Sequence, residues 1–204
     1  TPWGAGEFNS PLPGDFNLAN LAAAVAAAVI AGEQLAEVLA AVTQLAPVPG
    51  RMQSIANDCE LQVIVDYAHT PDALEQVLSA LRSHVDGRLV TVFGCGGDRD
   101  REKRQIMGRV ACSFSDSVVV TSDNPRGENP ASILADIETG CSGEYTLVED
   151  RAEAIALAIS NASPGDCIVI AGKGHEDYQI VEGEKLRFSD EEQAVVALAG
   201  RSVS

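Results

Sequence analysis

Aromatic side chains and positive charge are what this sequence has least of. Only 4% of its 204 residues are aromatic, so the core must be built from Ala, Val, Leu and Ile. Lys and Arg number 14 against 30 Asp and Glu, a formal net charge of −16. Nucleic acids and anionic membranes require a positive surface, so neither is expected as a partner, and solubility is the plainer meaning of the acidity. Long apolar runs are missing too. The longest, Leu21 to Ala31, is mostly alanine and falls short of the ~20 residues that span a bilayer. No signal peptide is visible. The five cysteines, at 59, 95, 112, 141 and 167, contain no C-x-x-C pair. An odd, scattered set argues against a disulfide framework and against a zinc site; these residues are expected to be small buried hydrophobes in a reducing cytoplasm. No G-x-x-x-x-G-K-[ST] loop occurs, so nothing in the chain is expected to cradle a triphosphate alone. An initiating methionine is also absent, and residues 1–13 read as the middle of something, as in a fragment or a processed chain.

What is present is globular: 46% hydrophobic and 22% charged. Residues 16–46 carry a helical pattern in two parts, Leu18, Leu21, Val25 and Val29, then Leu35, Val38, Leu39, Val42 and Leu45. Gly32 breaks the two, and Pro47-Val48-Pro49-Gly50 stops the second. Such a hairpin cannot bury both faces alone and is expected to pack on an upstream domain. Beyond about residue 54 strands and helices alternate. Leu61–Tyr67, Arg88–Phe93, Ser117–Ser122, Tyr145–Val148 and Asp166–Ala171 are short Val, Ile and Leu runs, the mark of a parallel sheet covered on both faces. Thr70-Pro71 and Asn129-Pro130 open helices with proline in the favoured first position. Asp150 with Glu153, and Ser189 with Glu192, have capping-box spacing. Gln179–Phe188, turning at Glu182-Gly183-Glu184, reads as a hairpin. The fold class is α/β, with a mostly parallel sheet and helices on both faces.

Four polar clusters fall at expected strand ends: Asp66-Tyr67-Ala68-His69-Thr70, Gly94 to Arg99, Asp123-Asn124-Pro125-Arg126, and Gly172-Lys173-Gly174-His175-Glu176. One polar loop means little, whereas four on one sheet edge describe a ligand site beyond the carboxyl ends of the strands. Arg126 suits a carboxylate, because its planar guanidinium donates two parallel hydrogen bonds. Asp123 and Glu176 suit an ammonium, so the ligand reads as an amino acid or another zwitterion. Gly94 to Arg99 fails the dinucleotide fingerprint, which needs glycine where Arg99 stands; Arg99 either binds an anion or pairs with Asp98 or Asp100. Asp66 either serves the site or caps the helix at Pro71. His69 is either a site residue or a satisfied, partly buried side chain. Lys173 and His175 are equally compatible with an ordinary loop, and Arg51 alone reads as a surface residue.

Taken in order, Gly14-Asp15-Phe16-Asn17-Leu18-Ala19-Asn20, Gly50-Arg51-Met52 and these four clusters give the chain a close resemblance to the C-terminal part of the Mur ligase family, across essentially its whole length. The resemblance implies residues 1–53 as the tail of a central ATPase domain, and 54–204 as a Rossmann-like, amino-acid-binding C-terminal domain. It implies Asn20 near adenine, Arg51 near the terminal phosphate, Asp66 near the ribose and His69 near the nucleotide. Arg99, Asp123, Asn124, Arg126, Gly172 and Glu176 would line the amino-acid site, and the Asp123–Arg126 motif marks members that choose meso-diaminopimelate over lysine. The implied reaction is ATP-dependent amide formation on a UDP-N-acetylmuramoyl dipeptide through an acyl-phosphate. ATP is then a co-substrate, and Mg2+ is held mostly by residues outside this chain. No catalytic or metal-ligating residue is assigned here. The alternatives are a lysine-adding ligase, a folylpolyglutamate synthetase, or a binding module without catalysis; a dinucleotide-dependent oxidoreductase is disfavoured by Arg99.

Overall fold

Unbroken runs of Val, Ile and Leu lie at the centre of a sheet because both of their faces need cover. In the computed structural model, which describes residues 2–10, 12, 14–46 and 48–201, a short β1 (Gln53–Ser54) precedes those runs. They form β2 (Gln62–Asp66), β3 (Leu89–Phe93), β4 (Ser117–Val120), β5 (Tyr145–Leu147) and β6 (Cys167–Ala171). The sheet order is β1-β2-β6-β3-β4-β5, with β1 antiparallel to β2 and all other neighbours parallel. Every residue of β3 and β6 is buried, as central parallel strands require.

Five helices cover this sheet: α3 (Pro71–Arg82), α4 (Glu102–Phe114), α5 (Pro130–Glu138), α6 (Arg151–Ser160) and α7 (Asp190–Arg201). Val63, Val65, Val90, Val92, Ile168 and Ile170 pack in one core with Ile155, Ile159, Ala194 and Leu198 of α6 and α7. Strand side chains alternate, so Phe93, Val118 and Val120 turn to the other face, where α4 and α5 contact β4. The caps form where the sequence signals them. Thr70 Oγ1 accepts from the Ala73 amide, Asn129 Oδ1 from Ala131 and Asp150 Oδ1 from Glu153. Asp66 is not the cap of α3; Thr70 has that role. A hairpin, β7 (Tyr178–Val181) with β8 (Glu184–Arg187), turns through Glu182 at φ 50° and Gly183 at φ 81°. Two positive φ angles in a row give the twist that suits a tight hairpin.

Two compact units divide the chain, Thr1–Val48 and Pro49–Ser204. The second begins slightly before the expected boundary at residue 53, because β1 and the turn before it already belong with the sheet. The first unit holds α1 (Asp15–Ile30) and α2 (Leu35–Val42), separated by Gly32 at φ 109°. Within it Leu21, Val29 and Val42 are buried, while Leu18 and Leu45 of the expected stripe remain exposed. The second helix ends at Val42, short of the apolar pattern that runs to Leu45. Pro47, expected to stop it, lies outside the described residues, as do the side chains of Asp15 and Phe16. Two cysteines, Cys95 and Cys167, are buried; Cys59, Cys112 and Cys141 are only partly so, and none of the five forms a disulfide. No helix among the described residues is long and apolar enough to cross a membrane.

Candidate functional site

Four neighbouring parallel strands, β2, β6, β3 and β4, end at the same edge, and each delivers one polar loop there. Between these loops lies a cavity of about 430 Å³. Arg99, Asp123, Asn124, Arg126, Gly172 and Glu176 all line it, and so does His69. The loops approach closely only because glycines allow it. A Cβ at Gly94 would collide with the Thr121 carbonyl, and one at Gly97 with the Pro125 carbonyl.

Charge in the cavity is balanced. Arg99, Lys103 and Arg126 line its walls together with Asp100, Asp123 and Glu176, a formally neutral set. Arg126 adopts φ 55°, an uncommon conformation for a side-chain-bearing residue. Its backbone is fixed to the hairpin, with its amide donating to the Ile180 carbonyl at 2.9 Å and its carbonyl accepting from Glu182 at 2.8 Å. Its Nη1 donates to the Gly97 carbonyl at 2.9 Å and to the Asn124 carbonyl at 3.3 Å. Among the described residues nothing accepts from its Nε or Nη2. Among the described residues Arg99 donates to the Asp98 carbonyl alone, at 3.1 Å, and forms no ion pair with Asp98 or Asp100.

The acidic pole is organised by a lysine that sequence reasoning left as an even choice. Lys173 is fully buried, and its Nζ lies 3.1 Å from Asp123 Oδ1, 3.1 Å from Asn124 Oδ1 and 3.5 Å from Glu176 Oε2. Asn124 in turn donates to Glu176 Oε2 at 3.1 Å and accepts from the Ile180 amide at 2.9 Å. One ammonium thus ties together two carboxylates, leaving a surplus negative charge toward the cavity. That arrangement can take up one further ammonium from a ligand.

Of the residues expected near a nucleotide, Arg51, Asp66 and His69 gather around Tyr67. His69 lies on the cavity wall, its Nδ1 2.9 Å from the Tyr67 carbonyl. Arg51 is exposed, with its guanidinium 4.6 Å from the centroid of the Tyr67 ring, a cation–π distance. Tyr67 also meets His69 and His175, with ring centroids 4.7 Å and 5.6 Å apart. The turn carrying Arg51 is locked in place by close approach: a Cβ at Gly50 would collide with the His175 amide. Asp66 is buried and does not line the cavity. Its Oδ2 accepts from the Met52 amide at 2.7 Å and its Oδ1 from the Ala68 amide at 2.8 Å. Burial raises its pKa above 3.8, against the lowering pull of those two amides. Asn20 is exposed on α1, in the other unit.

Two buried arginines were not singled out from the sequence at all. Arg151, at the start of α6, donates Nε and Nη2 to Asp190 at 2.7 and 2.8 Å. It also reaches the carbonyls of Ser122 at 3.3 Å and Ala171 at 3.0 Å, just beyond β4 and at the end of β6. Arg104, on α4, forms a two-point pair with Glu128 at 2.8 and 3.1 Å. Helical phase alone would have marked both positions as inward-facing, but nothing local identifies their partners.

A mostly parallel α/β sheet with four polar loops gathered at one edge places the chain among α/β proteins that bind a ligand beyond the carboxyl ends of their strands. Residues 50–174 match the family model described as "Mur ligase, glutamate ligase domain", and the chain belongs to the Mur ligase family, whose members are ATP-dependent ligases. It is 53% identical to UDP-N-acetylmuramoyl-L-alanyl-D-glutamate–2,6-diaminopimelate ligase of Synechococcus elongatus, over 98% of this chain and 41% of the relative. It is 55% identical to the enzyme of the same name from Gloeobacter violaceus, over 98% of this chain and 42% of that protein. A solved structure of such a ligase superposes with a TM-score of 0.75 at 46% identity, covering 98% of this chain and 41% of that one. The chain therefore spans about two fifths of the length of these relatives.

Proposed function

We propose that this chain is the C-terminal part of an ATP-dependent ligase that adds meso-2,6-diaminopimelate to UDP-N-acetylmuramoyl-L-alanyl-D-glutamate during peptidoglycan synthesis in the cytoplasm. The observation that carries this reading is the two-poled cavity. Arg126 and Arg99 offer guanidinium groups to carboxylates, while Asp123, Asn124 and Glu176 offer oxygens to an ammonium. Diaminopimelate has two carboxylates and two ammonium groups, no net charge, and a length that suits separated poles.

In this reading residues 1–53 are the end of the central ATPase domain and 54–204 the amino-acid-binding domain. The phosphate loop, the Mg2+ ligands and the other substrate's binding surface belong to the rest of the protein. Arg51 serves the terminal phosphate, His69 and Asn20 the nucleotide. For Asp66 the two amide bonds favour an indirect part: it holds the 50–52 turn on which Arg51 sits. The D-glutamyl carboxylate takes the terminal phosphoryl group of ATP. The ammonium of diaminopimelate held by the acidic cluster first gives up a proton to become the nucleophilic amine, which attacks the acyl-phosphate carbon; the C–N bond forms, phosphate leaves and the nitrogen loses a second proton. This chain's contribution is to hold that amine in line and to exclude water that would hydrolyse the acyl-phosphate.

Selectivity follows from the arginine pole. Lysine lacks the second carboxylate, so binding it would leave a guanidinium desolvated without a partner. A site built for a polar group rejects the analogue lacking it by about 10⁴–10⁵. The test is steady-state kinetics of a full-length ligase carrying this chain, with meso-diaminopimelate and lysine as alternative substrates, before and after Arg126→Ala. Diaminopimelate use is expected to fall by about 10³ or more in the variant, with the KM for ATP unchanged. Preference for lysine in the unaltered protein, or unchanged diaminopimelate kinetics in the variant, would refute the assignment.

A further inference from the structure

We propose that Glu128 is a positioning residue for the amino-acid site, setting the separation of Arg99 and Arg126; this rests on the ligase reading above. Glu128 does not line the cavity. It stands where the loop after β3 meets the loop after β4, and both of its carboxylate oxygens are engaged. Oε1 accepts from Arg104 Nη2 at 2.8 Å and from the Asp98 amide at 2.5 Å. Oε2 accepts from Arg104 Nη1 at 3.1 Å and from Arg101 Nη2 at 2.9 Å. Arg104 is itself fully buried and anchors the hub to the fold, donating to Asp136 Oδ2 at 2.8 Å and to the Gly96 carbonyl at 3.3 Å.

Around this hub the two loops are joined at several points. The Gly97 amide donates to the Asn124 carbonyl at 2.9 Å, and the Gly127 amide donates to Asp98 Oδ2 at 3.0 Å. Asp98 is held at φ 51°, a conformation that needs surrounding contacts to persist in a residue with a side chain. The segment so held runs between the two arginines. A Cβ at Gly96 would lie 2.7 Å from Arg126 Nη1 and 3.8 Å from Arg99 Cγ. Arg99 follows Asp98 directly, and Arg126 grips the Gly97 carbonyl. Moving Asp98 therefore moves both guanidinium groups, whereas Asn124, which meets Gly97 through its carbonyl, is also held through its side chain by Lys173, Glu176 and the Ile180 amide. Glu128, through the Asp98 amide, thus sets the distance over which the site measures a ligand's carboxylates.

The experiment uses a full-length ligase carrying this chain. Glu128→Gln preserves shape but removes the charge and presents an amide donor to donors. The KM for meso-diaminopimelate is expected to rise about tenfold to a hundredfold, the scale of a small misplacement of binding groups. The kcat at saturation and the KM for ATP should stay within about twofold, the signature of lost ground-state binding. Glu128→Asp should fall between. Asp98→Gly keeps the amide that Glu128 accepts from and loses only the link to Gly127, so it should raise the same KM less than Glu128→Gln; Glu128→Asp decides the matter if Glu128→Gln does not fold. Unchanged diaminopimelate KM in the folded variants, or equal losses for diaminopimelate and ATP, would overturn the proposal. If the unaltered protein does not prefer diaminopimelate, the ligase reading fails; if it does and the variants match it, only this inference fails.

Discussion

Two arginines flank the loop after β4, and they differ in what their donors have left to do. Arg151 is fully buried, and Asp190 with the Ser122 and Ala171 carbonyls takes up all three of its guanidinium nitrogens. Arg126 is half-buried and, among the described residues, commits only Nη1 of its guanidinium, to Gly97 and Asn124. The residues between them divide accordingly. Ser122 and Pro125 border a second cavity shared with Arg151, while Asp123, Asn124 and Arg126 border the first. One side of the loop is a brace and the other is a reading head. Residue type does not separate the two roles; the degree of hydrogen bonding does, because a guanidinium with four of its five N–H donors engaged has little left to offer a ligand.

Breaking the brace should have the largest effect on stability. Arg151→Met strands the Asp190 carboxylate in the interior, and removing one partner of a buried pair costs about 3–5 kcal/mol. Urea unfolding of the 204-residue chain measures this. The double variant Arg151→Met with Asp190→Leu should recover most of the loss, since a hydrophobic replacement of a buried pair is often neutral or better. Arg126→Ala should instead stay within about 1 kcal/mol of the parent; a larger loss would show that Arg126 is a brace too. Lys173 falls between the two cases. Its ammonium is buried, but Asp123 and Glu176 keep side-chain exposures of 13% and 20%, so water screens the acids that Lys173→Met would leave behind. The expected cost is about 1–3 kcal/mol by the same measurement, together with weaker binding of diaminopimelate by a full-length ligase. A stability loss equal to that of Arg151→Met would remove the distinction between brace and site.

The contrast also explains what could be read from the sequence. Strands β2, β3, β4 and β6 were legible because burial on both faces writes continuous apolar runs. The caps at Thr70, Asn129 and Asp150 were legible because each acts within three residues. The cavity was legible because its polar residues sit directly after those runs, at Asp123–Arg126 and Gly172–Glu176. What joins the loops was not. Arg151 and Asp190 are 39 positions apart, and Lys173 and Asp123 are 50, so no local pattern pairs them. Asp66 shows the same failure in reverse: its spacing to Pro71 fits a cap, but its carboxylate turns to the Met52 amide, 14 positions back. The second helix was read too long because Leu45 continues the apolar phase without being buried.

Acid should loosen the hub between the loops. The Arg104 guanidinium, then the Asp98 amide, hold the Glu128 carboxyl down at about 2, from an ordinary 4.5. A carboxyl with a depressed folded pKa contributes stability that is fully present above its unfolded value and is lost as pH falls through the folded value. Glu128 should therefore contribute fully above pH 4.5 and progressively less down to about 2. Unfolding measured against pH, parent minus Glu128→Gln, should show a difference that shrinks over that window. A constant difference would mean that charge at Glu128 is not what joins the loops.

The smallest effect belongs to Thr70, which stands on the cavity wall and at the start of α3 at once. Its hydroxyl accepts from the Ala73 amide at 3.3 Å, which satisfies a donor that the helix cannot satisfy itself. By the reasoning that separates Arg151 from Arg126, an engaged hydroxyl marks a structural residue even beside a ligand site. Thr70→Ala should cost about 1 kcal/mol of unfolding free energy, and Thr70→Ser only a few tenths. Neither should change the KM for diaminopimelate or for ATP in a full-length ligase. A KM shift in Thr70→Ala without one in Thr70→Ser would mean that the hydroxyl also meets a ligand, and that an engaged group at this edge can serve both purposes.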